Sequence, residues 1–412
     1  MRRPRTGVRT RVRAAASARV AGAIPAIQLA TLGALTMLGP FGTDASLPAL
    51  PTIADEFGSP AGQVQLTLTG FVTGMAAGQL LAGPLSDMAG RRRPLLWGTA
   101  GVAVAGGLAA LAPSLVVLIA ASACMGLGTA FALVVSRAVV ADLASGPALT
   151  RSYALLGTVT GIGPVLGPVG GAALLVAFGW RGVFAGLATA AIVGVLLAAR
   201  LLPESLPPER RVARAPVRLP GLVRRTFRSR SFVTGAVIVW LTFAALFAYI
   251  SASPFLLQSL LGLSPGWYAA VFAANGCGLI VTGLTAARLS SRLSRRTLLA
   301  IGLGMQVTGA LACLSLVLLD AVTLWTLLPP LFLIASSIGF IFGPAHAHAL
   351  HDLRDMAGTA LATIGAVQFL GAGLVAPLVQ IRGEGDPLPF ALAVTCCSLA
   401  ALVTLVARSD AR

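Results

Sequence analysis

Long apolar runs alternate with short polar breaks along almost the whole chain. Between Val20 and Ala54 the only ionisable side chain is Asp44, which places a first span at about Pro25–Asp44. Leu66–Ala82, Leu95–Ser136 and Ser231–Ala287 carry no charge at all. About 20 apolar residues cross a bilayer as a helix. The two longer runs therefore hold two helices each, turned at Ala112-Pro113-Ser114 and at Gly262–Gly266, where turn-forming residues cluster. Span five is read as Ser152–Trp180, and span six ends near Arg200. Asp320 divides spans nine and ten, the polar segment His346–Asp355 precedes span eleven, and Arg382–Pro387 precedes span twelve, which ends near Ala407. The pattern predicts an all-α polytopic membrane protein of twelve helices in two six-helix halves. The halves are residues 21–201 and 232–407, with a Pro- and Arg-rich linker at 202–231 and tails at 1–20 and 408–412.

Composition agrees with that reading. The chain is 57% hydrophobic and 10% charged, against about 25% charged in an ordinary soluble domain. All 30 basic residues are arginine, and the net charge is +17. Without lysine there is no P-loop lysine and no Schiff-base lysine. No nucleophile constellation or ligand cluster suggests an enzyme, and no cofactor is implied. The arginines sit in the breaks between spans, and only Arg181 and Arg382 fall at turns on the opposite side. Arginine-rich loops face the cytoplasm. Both termini are therefore expected in the cytoplasm, and the chain in a bacterial inner membrane. The same clustering accounts for the charge without nucleic acid. Cys124, Cys277, Cys313, Cys396 and Cys397 all lie in apolar runs and read as small buried packing residues. Among His346, His348 and His351, the last two share a helical face, but no third strong ligand is nearby in sequence, so no metal is expected.

The break Gly83-Pro84-Leu85-Ser86-Asp87-Met88-Ala89-Gly90-Arg91-Arg92-Arg93 reads as a short polar hinge between spans two and three. Its pattern G-x-L-x-D-x-x-G-R-R resembles the signature loop of the major facilitator superfamily. The resemblance implies that fold, and a conformational latch at Gly83, Asp87, Gly90, Arg91 and Arg92. Phe41-Gly42-Thr43-Asp44, Leu47–Pro51, Gln63–Leu68 and Phe247–Phe255 are similar to the bicyclomycin and chloramphenicol/florfenicol resistance exporters. That likeness implies a monomeric antiporter in the lipid bilayer, exchanging a small-molecule drug or antibiotic for protons. Gly163-Pro164, Gly167-Pro168 and Gly171 resemble the superfamily's antiporter signature. Arg137 and Asp142 resemble its Arg-Ala-x-x-x-Asp segment, which implies a charge pair or gate; the Arg and Gln usual in mid-span four fall here at Ser122 and Met125.

Asp44 is the first choice for proton coupling on physical grounds as well. A carboxylate in apolar surroundings loses solvation when charged, so proton uptake near neutral pH becomes possible. Arg137 and Asp142 are carried with it as coupling candidates. Tyr249, Gln258, Asn275, His346, Gln368 and Phe369 are the polar or aromatic candidates for a substrate cavity, which needs apolar walls and a few placed polar groups. Two other functions fit the same pattern: export of an endogenous metabolite, and a membrane sensor or scaffold that transports nothing.

Overall fold

The computed structural model describes residues 24–211, 226–353, 357–383 and 386–407. The tails at 1–20 and 408–412 and the middle of the expected linker lie outside the described residues. Twelve long helices follow one another: α1 Ala26–Asp44, α2 Leu66–Ala89, α3 Arg92–Ala110, α4 Leu115–Leu143, α5 146–178, α6 180–201, α7 Arg230–Pro254, α8 Pro265–Leu289, α9 Arg295–Leu318, α10 Leu324–Ala349, α11 Ala357–Leu378 and α12 Leu388–Ala407. α5 and α6 form one run, Gly146–Leu201, broken where Gly179 takes φ +69°. Among the described residues, nine helical runs are long and apolar enough to cross a membrane, and the run through Gly179 counts once among them. α1 and α3 are not among the nine. Gln28, Pro40 and Asp44 dilute α1, and two arginines and four glycines dilute α3.

Local chemistry sets the helix starts. Ser114, Ser229, Ser264, Ser294 and Thr323 stand at the N-caps of α4, α7, α8, α9 and α10, and each hydroxyl accepts a backbone N–H in the first turn. α7 runs into a π turn, Phe255–Leu260, directly after Pro254, a residue that cannot supply the helical N–H. Between α1 and α2 the chain makes a 3-10 turn, Leu47–Ala49, and a short helix, Leu50–Phe57.

The expected hinge Gly83–Arg93 is mostly helix. α2 continues to Ala89, and the chain turns only at Gly90, where φ is +89°. Similarly, His346 and His348 belong to α10 and not to a loop. That helix is prolonged because Ala345 and Ala349 pack directly against Gly235 of α7. The cysteines also depart from expectation: Cys313 is buried, Cys397 is half-buried, and Cys124, Cys277 and Cys396 are exposed on the flanks of the bundle. An apolar run in a membrane protein has a lipid-facing side as well as a packed one, and the run alone does not say which side a cysteine takes.

The two halves meet along α2 with α11 and α5 with α8. An added Cβ at Gly276 of α8 would lie 2.7 Å from Val165 of α5. At the end of the bundle that holds Glu56, polar bonds cross as well: Gln65 Nε2 donates to the Ser251 carbonyl at 2.7 Å, and Gln258 Nε2 to the Pro48 carbonyl at 3.3 Å. The apolar core follows the same division. At the Glu56 end one continuous core takes residues from both halves, including Leu47, Phe71, Phe184, Phe247, Tyr268 and Phe390. At the opposite end, near Arg91, beside a small core of Ala286, Leu298 and Phe340 in the second half, there are two separate larger cores. One is built around Leu35, Phe131 and Val139, the other around Phe232, Ile341 and Ile364. The halves are fused at one end and parted at the other.

Candidate functional site

Asp44 closes α1 and is 5% exposed. It lies against α5 along a stripe of glycines spaced one turn apart. An added Cβ at Gly167 would sit 2.9 Å from the Asp44 Cβ; at Gly171 it would strike the Ala45 carbonyl, and at Gly163 the Pro40 ring. The stripe is thus the groove that receives the end of α1, since only small residues let two helices approach so closely. Pro168 and Pro164 stand in the same helix, and the backbone of Pro164 faces Gly276 of the other half. Across the seam, Tyr268 of α8 is within electrostatic reach of Asp44. The Tyr268 hydroxyl is 3.0 Å from Ser253 Oγ, and Asn275 Nδ2 donates to the Tyr249 hydroxyl at 2.6 Å. Among the described residues Asp44 has no ion-pair partner; the neighbouring Thr43 hydroxyl donates to the Gly39 carbonyl at 3.3 Å and the Pro40 carbonyl at 3.1 Å.

The hinge holds a second cluster. Arg91 donates from Nη1 to Asp87 at 2.6 Å and to Ser86 at 2.7 Å, and from Nε to Asp142 at 2.9 Å. Ser205 Oγ adds a bond to Asp142 at 3.0 Å. Arg92 donates to the Leu202 carbonyl at 3.0 Å and to that of Ala199, which covers carbonyls at the end of α6, where a cation is favoured. Glu204 accepts the backbone N–H of Arg91 at 2.7 Å and of Arg92 at 3.3 Å. Desolvation opposes its charge, but the N–H groups of Leu206, Arg91 and Arg92 hold its carboxyl below the usual range. A side chain at Gly90 would collide with that carboxylate, while Gly83 faces open space. Every partner in this cluster belongs to the first half or to the start of the linker that follows it. It ties α2, α3, α4 and the segment after α6 together. Glu204 and Ser205 were not legible in the sequence as parts of it, because nothing in a polar stretch announces which helix N-terminus it will reach.

Arg137 and Asp142 are not brought together. Asp142 is taken by Arg91, while Arg137 is accessible to water and forms no ion pair among the described residues. The Tyr153 hydroxyl donates to the Arg137 carbonyl at 3.1 Å. His346 of the other half is within electrostatic reach of Arg137. His346 Nδ1 lies 2.7 Å from the Phe342 carbonyl, and its ring meets Phe342 edge-on at 5.8 Å. Phe243 lies 6.2 Å from Phe342 and 5.4 Å from Phe369. Of the cavity candidates, His346 and Phe369 thus join one aromatic wall. Tyr249 and Asn275 pair with each other near Asp44's side of the seam. Gln258 is spent on the bond to Pro48, and Gln368 is half-buried on α11. Ser122 and Met125 line a small cavity behind α1, with Gly42, Ser46, Thr67 and Phe184. The Ser122 and Thr67 hydroxyls there have no partner among the described atoms.

Comparison with known proteins follows from this geometry. The profile of the family described as Major Facilitator Superfamily matches residues 32–376. The MFS-type transporter YdgK of Bacillus subtilis is 33% identical over 353 residues, covering 85% of this chain and 88% of that protein. Multidrug resistance protein MdtL of Salmonella paratyphi A is 30% identical, covering 85% of this chain and 87% of its own. Among solved structures, a D-xylose-proton symporter superposes with a TM-score of 0.70 at 18% identity, over 92% of this chain and 96% of its own.

Proposed function

The chain belongs to the major facilitator superfamily, and we propose that it is a drug:proton antiporter that exports amphipathic small molecules by alternating access. It is a multi-pass membrane transporter and not an enzyme. Its relatives named multidrug resistance proteins support efflux. The motifs around Asp44, Gln63–Leu68 and Phe247–Phe255 support a place among the bicyclomycin and chloramphenicol/florfenicol resistance exporters. The arginine bias supports a bacterial inner membrane with the Arg91 end in the cytoplasm. In that orientation the fused end is outside and the parted end opens inward.

The observation that carries the reading is Asp44. It is a carboxyl in the seam between the halves, cut off from water and from any described cation. Ionising such a group is costly. Proton uptake and release at Asp44 therefore accompany changes in its exposure, and tilting one half against the other supplies those changes. Protons from outside favour one state and cargo from inside the other; a ligand shifts the balance only by its differential affinity for the two states. The hinge cluster fastens the start of the linker to the first half, so the two move as one body. Expression in an efflux-deficient bacterial host, tested with a panel of antimicrobial compounds, decides the matter. Raised tolerance to some of them, abolished by a protonophore, is the expected result. Tolerance that persists after the gradient is collapsed would remove proton coupling, and no change for any compound would remove drug efflux.

A further inference from the structure

We propose that Arg137 is the head-group anchor of the cargo, and that the preferred cargo is an aromatic amphiphile bearing a carboxylate or a comparably electron-rich oxygen group. This rests on the export reading and names the class of molecule exported. Three observations converge on it. First, Arg91, Arg92 and Arg181 of the first half are all satisfied. Arg91 has two carboxylates, Arg92 has two carbonyls, and Arg181 has Glu56. Arg137 alone of these four has no described acceptor for its guanidinium. A guanidinium keeps its charge and offers five donors in a planar fork that matches a carboxylate. Charged groups at membrane depth pair or line a pathway.

Second, Arg137 is within electrostatic reach of the other half. His346, which feels its charge, belongs to α10 of the other half, and the two end cores are separate at this level. Arg137 is exposed as a residue although protein crowds around its guanidinium, an arrangement that suits a side chain at the mouth of a cleft. Third, an apolar aromatic surface continues inward from the same place through Phe342, Phe243 and Phe369. Arg137 is six residues from the end of α4, which is about 9 Å at the helical rise. Phe243 is thirteen residues into α7, or about 20 Å. The cation and the deepest ring are thus separated by roughly 10 Å along the membrane normal, the length of a two-ring molecule with a short acidic arm. Asp44 lies at the other end of its helix from this mouth, so the anchor and the carboxyl proposed for coupling are distinct groups.

The test uses dansylglycine and its neutral amide, dansylglycinamide, as probes. Equilibrium dialysis against the full-length protein in lipid nanodiscs, with empty nanodiscs as the control, gives both affinities without any gradient. The acid is expected to bind about tenfold tighter than the amide, the worth of one charge-assisted hydrogen bond. Arg137→Gln should erase that difference by weakening the acid and leaving the amide within about twofold; Arg137→Lys should keep most of it. The inference is overturned if wild-type protein binds acid and amide alike, if it binds neither, or if Arg137→Gln weakens both together or leaves the preference intact. A preference that holds while cells show no efflux counts against the export reading instead.

Discussion

At the scale of single residues, Asp44 and Arg137 are distinguished by their neighbours. One is a carboxyl sealed between helices, the other a cation open to water in a cleft. Asp44 was legible because it is the lone acid in a long apolar run. The partner of Asp142 was not. Residues five apart on a helix are about 140° apart around it, so Arg137 and Asp142 face different sides, and the cation that reaches Asp142 comes from another helix. Glu56 gives a test at this scale. Trp180 Nε1 donates to it at 2.6 Å, Arg181 pairs with it, and the Arg181 guanidinium lies 4.2 Å from the Trp180 ring centroid. The Trp180 hydrogen bond, with those from Arg181, holds the Glu56 carboxyl below the usual range. A depressed folded value stabilises fully above the unfolded value of about 4.3, and that contribution is lost as pH falls through the folded value. Glu56→Gln should therefore lower the melting temperature at pH 7 by about 1–3 °C. In purified protein brought below pH 3 the variant and wild type should melt together; an equal deficit at both pH values would mean that the carboxylate charge is irrelevant.

At the scale of elements, the glycine stripe of α5 is a tightly constrained surface of the first half. Proline and glycine in that run suggested a kinked, closely packed helix from the sequence alone, and the packing partner, the end of α1 at Pro40, Asp44 and Ala45, is what the structure adds. Gly171→Leu places a side chain where the Ala45 carbonyl stands. Overpacking of this kind costs about 1–3 kcal/mol or more. Efflux should fall at least tenfold while the protein still inserts and purifies as a single species; unaltered efflux would show that α1 does not need this groove. The helix count was readable because charge-free runs are separated by short polar or turn-forming breaks. The exact ends were not, since α2 and α10 extend through polar residues whose bonds are made within the fold, such as Ser86 Oγ to the Gly83 carbonyl at 2.8 Å.

At the scale of the whole molecule, one shared core at the Glu56 end and separate cores at the Arg91 end describe one conformation of the bundle. The sequence held no trace of this division, because a core is shared or split by the angle between halves and not by the hydrophobicity of either. The bond from Gln65 to the Ser251 carbonyl crosses the fused end. In a chain freed of its native cysteines, Gln65→Cys with Ser251→Cys, joined by a short thiol cross-linker, should stop transport, and a cleavable linker should restore it on reduction. Transport that continues through the cross-link would mean that this end never opens.

Proton exchange at residue 44 is the claim on which the rest turns, and it is measured most directly in proteoliposomes loaded with a pH-sensitive dye. With wild-type protein, adding a cargo identified by the efflux screen should drive proton movement in the opposite direction, at a rate that follows cargo concentration. Asp44→Asn should abolish that proton movement while still binding cargo and exchanging it in the absence of a gradient. Undiminished cargo-driven proton movement in Asp44→Asn would contradict the account.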